Sequence, residues 1–184
     1  FFVVVMYSLL VFTVPAQELP PIEIFTTSDY QAENQNWDIS QAENKYIYIA
    51  NNQGLLEFNG AKWKLYSSPN ETILRSVYVK NDLIYTGCYM EFGYWKHNQY
   101  DELIYTSLSN EIKHELIEDE QFWNILSLDN WILFQSLDRI YIYNTIDASF
   151  NIIESETIIR KMYLVNDIVY FQKEEDGIYK IDNG

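Results

Sequence analysis

The sequence has few of the residues from which metal sites, disulfides and nucleophilic sites are built. Its 184 residues include one cysteine, Cys88, so an internal disulfide is excluded. We interpret Cys88 as a small buried hydrophobic residue rather than a reactive thiol. His97 and His114 are 17 residues apart with no cysteine or carboxylate at metal-ligand spacing, so we expect both in exposed loops and no metal or cofactor site.

Recognisable catalytic motifs are also missing from the sequence. It contains no G-x-S-x-G nucleophile elbow, no phosphate-binding glycine loop and no H-E-x-x-H helix. The S-x-D-x-G-x-T-W box of sialidase-type propellers is absent as well. Acidic residues are abundant enough for a carboxylate pair to flank a glycosidic bond, but the sequence selects no particular pair. We therefore predict no catalytic residue and no enzyme activity for this chain.

Basic residues are scarce relative to acidic ones. Twelve Lys and Arg stand against 27 Asp and Glu, which leaves a net charge of −15. Such a surface repels phosphate backbones, so nucleic acid is not an expected partner of this portion. We attribute the charge to solubility rather than to an acidic functional face. Hydrophobic residues make up 48% of the chain and aromatic residues 17%, enough for a folded core rather than disorder.

The first residues resemble a leader rather than part of a domain. Residues 1–14 are almost wholly apolar, and Val14-Pro15-Ala16 offers small residues for cleavage before Gln17. As a helix, 14 residues would rise about 21 Å, too short for a comfortable membrane span. We predict a truncated signal peptide over 1–16 and an extracytoplasmic mature chain. The alternative is a buried strand or helix of a cytosolic core.

A unit of four β-rich runs occupies residues 37–66. The runs are separated by turn signals, including Asn51-Asn52-Gln53-Gly54 and Asn59-Gly60. An Asn-Gly pair between apolar runs favours a two-residue turn with positive φ at both positions. Four strands joined by tight turns within about 30 residues indicate a small antiparallel sheet of the kind that forms one propeller blade.

The same pattern recurs along the chain. Its second strand reappears around Tyr48, Tyr85, Leu133 and Tyr170, at spacings of 37, 48 and 37 residues. Repeats near 40 residues with four period-two strands indicate a β-propeller, although a plain β-sandwich is the alternative. We predict an all-β fold: a β-propeller fragment with about four four-stranded antiparallel blades of a larger ring. The predicted blades lie near 37–66, 73–108, 122–153 and 158–184.

The segment before the first blade and the end of the chain complete this prediction. Residues 17–36 form an N-terminal segment in which Ile22–Phe25 is a candidate outer strand that closes the ring with a last blade. Closed propellers usually need four to eight blades. The chain is therefore expected to be part of a larger ring and, because its open edge is unpaired, to be marginally stable or aggregation-prone alone unless its blades stack as an open solenoid.

A family resemblance is carried by four segments of the sequence: AENQNWDISQ (32–41), IYIANNQGLLEFNGAKW (47–63), ILRSVY (73–78) and YTGCYMEFGYW (85–95). They resemble the two-component regulator propeller repeats of Bacteroidetes sensor proteins, and most closely the triple-tyrosine-motif regulators with a LuxR-type DNA-binding domain. The resemblance is good from Ile22 to about Trp95, weaker over 101–155, and returns at Asp176–Tyr179. It implies an N-terminal fragment of a periplasmic sensor attached to the inner membrane.

The resemblance also implies partners and an output that this chain does not contain. The expected partners are the remainder of the same protein: further blades, a Y_Y_Y domain and a membrane span. The output would be a DNA-binding domain or a histidine kinase on the cytoplasmic side, and a homodimer of the full protein is compatible with it. The alternative function is a secreted binding or scaffold propeller without signalling output.

Candidate ligand-binding residues follow from the repeat. Inner strands of successive blades are expected to begin at one end of the propeller, next to the loops between second and third strands. That end would collect these side chains: Trp37, Arg75, Trp123, Arg160, Asn51, Asn52, Tyr89, Glu91, Asp138 and Arg139. Indole faces stack on sugars, and guanidinium groups bind carboxylate or sulfate, so a glycan or another small molecule is the expected ligand. In the alternative, the tryptophans pack between blades and the arginines satisfy loop carbonyls.

Overall fold

The computed structural model describes residues 20–181, which form four antiparallel sheets in sequence order, arranged as the blades of a β-propeller. Blade I has strands β1 (Asn36–Gln41), β2 (Ile47–Asn51), β3 (Gly54–Phe58) and β4 (Trp63–Ser67). Blade II has β5 (Ser76–Lys80), β6 (Leu83–Gly87), β7 (Phe92–His97) and β8 (Leu103–Ser107). Blade III has β9 (Asn124–Leu128), β10 (Trp131–Gln135), β11 (Arg139–Asn144) and β12 (Phe150–Glu154). Blade IV has β13 (Ile159–Val165), β14 (Ile168–Lys173) and β15 (Gly177–Ile181).

The propeller prediction is confirmed, with three four-stranded sheets and, within the described residues, three strands in the fourth. Helical structure among these residues consists of a single turn, α1 (Thr27–Tyr30), and a 3-10 segment over Ser109–Glu115. The predicted signal peptide, residues 1–16, lies outside the described residues. The segment predicted over 17–36 is described only from Pro20 onward.

Two turns of blade I show how local chemistry sets the strand register. Gly54 has φ of +145°, and a Cβ there would lie 2.0 Å from the Tyr66 carbonyl oxygen, so only glycine fits. The predicted two-residue turn at Asn59-Gly60 is wrong, because β3 ends at Phe58 and β4 begins at Trp63. The Asn59 side chain accepts hydrogen bonds from the amides of Ala61 and Lys62, at 3.0 and 2.8 Å, and so stabilises a longer turn.

The first strand of every blade lies innermost, and each contacts the first strand of the next blade: β1 with β5, β5 with β9, and β9 with β13. An innermost strand pairs on one side only, so its other edge keeps free amides and carbonyls. Side chains of the preceding blade bond to several of them. Asp38 and Ser40 of β1 accept from the amides of Val77 and Val79 of β5, at 3.0 and 2.9 Å.

The same kind of contact joins the later blades. The Ser76 hydroxyl of β5 donates to the Phe122 carbonyl at 2.9 Å, just before β9. Gln135, fully buried at the end of β10, donates to the Ile159 carbonyl and accepts from the Met162 amide, at 2.9 and 3.1 Å. Polar side chains therefore link successive blades near the centre of the propeller.

Apolar side chains fill the spaces between neighbouring blades in three separate cores. The core between blades II and III is mainly aromatic. The Phe92 ring of β7 lies 4.7 Å from the Phe122 ring and 4.3 Å from the Phe134 ring of β10, measured between centroids. All three side chains are fully buried, so both blades contribute to one packed interface.

The N-terminal segment packs on the outside of blade I. Phe25 lies 5.1 Å from Phe58 and 5.3 Å from Trp63, ring centroid to centroid. Residues 20–26 belong to no strand, and Ile22 and Ile24 are exposed. The ring-closing strand proposed over Ile22–Phe25 is therefore not formed within the described residues, and its pairing with a further blade stays a prediction.

We expect Phe122→Ala to lower the free energy of unfolding by about 3–5 kcal/mol, because it opens a cavity in the aromatic core between blades II and III. Urea denaturation followed by circular dichroism measures the change. The control is Ile146→Ala, since Ile146 is 75% exposed, and its effect should stay within about 0.5 kcal/mol. Equal effects of the two substitutions would contradict a packed interblade core.

We expect a pH-dependent effect from Asp38→Asn. Burial raises the pKa of the Asp38 carboxyl above its usual 3.8, although hydrogen bonds from Val77 and Ile39 oppose the shift. Because the folded pKa lies above the unfolded one, ionising Asp38 costs stability as pH rises through that interval. The stability of the variant relative to wild type should therefore increase as pH rises from 3.8 through the folded pKa.

Urea denaturation across this pH range measures that trend, and Asp147→Asn is its control. Hydrogen bonds from Ser149 lower the pKa of Asp147, so this carboxylate stabilises the fold above the unfolded pKa. Asp147→Asn should therefore lose stability relative to wild type as pH rises, the opposite trend. Parallel trends for the two variants would disprove the assigned role of Asp38.

Candidate functional site

Strand register places the starts of the four inner strands at one end of the propeller. The pairs that define this end are Asn36 with Asn51, Ser76 with Gly87, Asn124 with Gln135, and Ile159 with Lys173. The loops between second and third strands of each blade lie at the same end. We call this end the funnel face. It carries Trp37, Arg75, Trp123 and Arg160 at or next to the starts of the inner strands.

Three of these side chains form one cluster, Trp37–Arg75–Trp123, which spans blades I to III. The Arg75 guanidinium carbon lies 4.0 Å from the Trp37 ring centroid and 4.7 Å from that of Trp123. The two indole rings contact each other edge to face, with centroids 6.0 Å apart. A cation held against two indole faces gains cation–π attraction on both sides. Trp37 remains 40% exposed, so the cluster can be reached from solvent.

The Arg75 guanidinium is held by a neutral side chain. Its Nε donates to Gln121 Oε1 at 3.0 Å, and the Arg75 amide donates to the Gly87 carbonyl at 2.9 Å. Burial lowers the pKa of Arg75 from its ordinary value, and an arginine nevertheless stays charged at neutral pH. Its Nη1 is buried and has no hydrogen-bond partner within residues 20–181. One donor of a permanent cation is therefore left without an acceptor.

Arg160 does not join this cluster. Its guanidinium forms an ion pair with Glu174 of the same blade, and more than half of its side chain is exposed. The register of β13 shifts between Ile159 and Met162, around Arg160, and an irregularity of this kind redirects side chains. The repeat places Arg160 at the equivalent position in the sequence, but its guanidinium contacts Glu174 instead of the indoles.

Asn51 and Asn52 both make hydrogen bonds within the protein, but Asn51 is buried and Asn52 lies near the surface. Asn51 is fully buried, and its amide group donates to the backbone carbonyls of Glu33 and Gln35. Asn52 lies at the surface of the cluster, where its Oδ1 accepts from Trp37 Nε1 at 2.8 Å. Its Nδ2 donates to the Glu33 carboxylate at 2.8 Å. Asn51 therefore anchors the N-terminal segment, whereas Asn52 orients the Trp37 indole.

Tyr89 and Glu91 belong to the loop between β6 and β7. The exposed Tyr89 hydroxyl donates to Asp119 at 2.5 Å, and Tyr89 forms a backbone bridge with Gln121. Glu91 accepts from the Tyr105 hydroxyl of its own blade at 2.8 Å. Burial, followed by the charge of Glu91, raises the pKa of Tyr105. These two candidates therefore fix the loop beside the cluster.

Two of the cluster's neighbours were not predicted from the sequence. Gln121 holds Arg75, and Glu120 is 4% exposed while it accepts from Ser136 and Tyr141, at 2.6 and 2.7 Å. A weak signal for Gln121 exists, since glutamine stands two residues before the tryptophan in both Gln35–Trp37 and Gln121–Trp123. Nothing in the sequence distinguishes Glu120 from the other acidic residues.

Carboxylates line the side of the cluster near Trp123. A small cavity of about 90 Å³ is bordered by Trp123 and, on the acidic side, by Glu118, Asp119, Glu120 and Asp138. Arg139, the other basic candidate here, donates to Glu154 at 2.6 Å and to the Glu115 carbonyl. The side chains that contact the Arg75 guanidinium itself, Trp37, Trp123 and Gln121, are uncharged.

The positions of the cysteine and the two histidines agree only in part with the prediction from the sequence. Cys88 is buried as predicted, with 1% exposure, and burial raises the pKa of its thiol to about 12. The exposed-loop prediction for His97 is wrong, because His97 ends β7 and lies between Glu57 and Asp101, at 2.9 and 3.0 Å. His114 lies in the 3-10 segment and is exposed. No group of three or more potential ligands with metal-binding geometry occurs among residues 20–181.

Across the described part of the chain, no helix combines the length and apolar character needed to cross a membrane.

Comparisons with known proteins support the fold. No family model and no curated protein matches the sequence. Among solved structures, the chain is similar to the extracellular domain of a proposed one-component system from B. thetaiotaomicron, at 13% identity and a TM-score of 0.59. That match covers 83% of this chain and 21% of the other. A protein of unknown function from Bacteroides caccae matches at 9% identity and a TM-score of 0.55, covering 81% of this chain and 61% of that one.

We expect Arg75→Ala to lower the free energy of unfolding by about 1–2 kcal/mol, because both indole contacts of the guanidinium disappear. The emission of the tryptophans should also change, since Trp37 and Trp123 lose the cation between them. Urea denaturation monitored by tryptophan fluorescence measures both effects. Arg160→Ala is the matched control and should cost about 0–1 kcal/mol, because its ion pair is exposed. A larger effect at Arg160 would contradict the cluster.

Proposed function

We propose that this chain is the ligand-sensing propeller region of an extracytoplasmic sensor of the two-component regulator propeller type. The confirmed propeller fold supports the proposal, as do the propeller-like segments quoted above. The B. thetaiotaomicron match, an extracellular domain of a proposed one-component system, gives a precedent for this fold in a sensor. The chain spans about a fifth of that domain, so a complete sensor would contain further parts.

One observation carries the ligand-binding step of the proposal: Arg75 is a cation without a counterion. The chain has three arginines, and Arg139 and Arg160 each pair with a glutamate. Arg75 has no such ion pair within the described residues and instead contacts two indoles and one neutral amide. In a chain with 27 acidic residues, an unpaired and partly buried guanidinium is the group most able to receive an external anion.

The chemistry of the cluster favours a sugar that carries a carboxylate or sulfate. The exposed Trp37 face can stack on a pyranose ring, and aromatic contacts contribute about 0.5–1.5 kcal/mol beyond burial. A hydrogen bond from Arg75 to a charged oxygen contributes about 1.5–3 kcal/mol. Together these two contacts account for the difference between a millimolar and a micromolar Kd, a range suited to sensing a soluble ligand.

Signalling would follow from ligand contact across blade boundaries. The Trp37–Arg75–Trp123 cluster joins side chains of blades I, II and III, so a bound anion would interact with several blades at once. A binding event there would favour one relative arrangement of the blades, and the rest of the sensor would detect that arrangement. A secreted binding propeller without signalling output would use the same cluster, and no observation in residues 20–181 favours that alternative.

Calorimetry on the full protein with acidic and neutral glycans tests the binding step. We expect an oligogalacturonate or a sulfated chondroitin disaccharide to bind and neutral maltotriose to bind much more weakly. Arg75→Ala should reduce affinity about 10- to 100-fold, the equivalent of one charged hydrogen bond. Arg160→Ala, which removes the same charge from the same face, should reduce it far less. Undiminished binding by Arg75→Ala would remove Arg75 from the site.

A further inference from the structure

A second cleft lies at the end of the blades opposite the funnel face, between blades I and II. Its volume is about 440 Å³, the size of a small-molecule pocket. It is formed by the β1–β2 turn, the β5–β6 turn and the end of β7. Ala42, Tyr48, Val79 and Ile84 supply its apolar surface. The polar wall residues are Glu43, Asn44, Asn81, Asp82, Lys96 and His97.

The polar wall carries two carboxylates and one ammonium group. Glu43 comes from blade I, and Asp82 comes from the facing turn of blade II. Lys96 is the only lysine of the wall, and its ammonium group already lies 2.9 Å from the Asp82 carboxylate in an exposed ion pair. The remaining acidic charge favours a cationic ligand, and an exposed ion pair of this kind is easily exchanged.

His97 does not alter this balance, because carboxylates flank both of its nitrogens. Its Nε2 lies 2.9 Å from Glu57 Oε2, and its Nδ1 lies 3.0 Å from Asp101. Glu57 is 7% exposed, so a buried carboxylate lies directly behind the cleft wall. Neither Glu57 Oε2 nor His97 Nδ1 has a hydrogen bond of good geometry in the described structure. The carboxylates around His97 therefore make this part of the wall unsuited to an anion as well.

We propose that this cleft is a second binding site, which takes a small organic cation: a primary ammonium group on an apolar body. The ammonium group lies between Glu43 and Asp82, where it replaces the Lys96 ammonium as the partner of Asp82. The apolar body packs on Val79, Ile84 and the ring of Tyr48. This site is at the opposite end from Arg75, so it is independent of the glycan proposal.

Three probes of the same shape and different charge test the site: phenethylammonium, 2-phenylethanol and 3-phenylpropionate. Chemical shifts of the full protein are followed by NMR during titration with each probe at constant ionic strength. We expect saturable binding of phenethylammonium at about millimolar Kd, with weaker binding of the alcohol and none of the anion. The chemical-shift changes caused by phenethylammonium should be confined to the cleft residues of blades I and II.

Substitutions then identify the charges that act. Asp82→Asn and Glu43→Gln should each weaken phenethylammonium binding about two- to fivefold, the value of an exposed ion pair. Lys96→Met should tighten it, because the competing ammonium is removed; a merely structural Lys96 would not give that result. Glu156→Gln, which removes the same charge far from the cleft, is the control and should leave the affinity unchanged.

Several results would overturn the proposal. These are equal affinity for the ammonium and the alcohol, absence of saturable binding, equal losses in Asp82→Asn and Glu156→Gln, or weaker binding in Lys96→Met. Asp82 and Lys96 are exposed by more than half, so their substitution should not unfold the protein. Unfolding is checked by the dispersion of the same spectra.

Discussion

An innermost strand that pairs on one side only is the constraint on which the rest of the structure depends. The free edge of β5 or β13 would be costly if its amides had no acceptor, yet a further strand cannot fit at the centre of a propeller. Asp38, Ser40, Ser76 and Gln135 resolve this by bonding to the backbone of the neighbouring blade. These bonds set the height of each blade relative to the next, so the blades are aligned by polar groups and held together by the apolar cores between them.

Alignment of the blades in turn creates the cluster on the funnel face. Once β1, β5 and β9 lie at matched heights, Trp37, Arg75 and Trp123 reach the same rim although 86 residues separate the first from the last. The register shift in β1 falls at Trp37, whose indole lies against Arg75. The shift in β13 falls at Arg160, and that guanidinium pairs with Glu174 instead.

The strands and blades, which depend on local sequence pattern, could be predicted from the sequence. Contacts between residues distant in the chain could not. The recurrence around Tyr48, Tyr85, Leu133 and Tyr170 predicts the sheets, because strand period and turn spacing are local properties. It also brings Trp37, Arg75 and Trp123 to one end. The two-residue turn predicted at Asn59-Gly60 is wrong because the Asn59 side chain caps a longer turn. The exposed loop predicted for His97 is wrong because His97 contacts Glu57, a residue of another blade. Gln121 and the role of Asn52 likewise depend on contacts that the order of residues does not reveal.

The three arginines of the funnel face differ in the groups that contact their guanidinium groups. Arg139 and Arg160 each pair with a glutamate. The Arg160 pair is exposed and adds little to stability. Arg75 has two indole faces instead, which attract the cation without neutralising it. A carboxylate partner would have occupied the guanidinium donors, whereas the indoles cover its faces and leave Nη1 without an acceptor. Contact with aromatic rings in place of a counterion leaves the charge of Arg75 unneutralised, which is the state that the proposed anion binding requires.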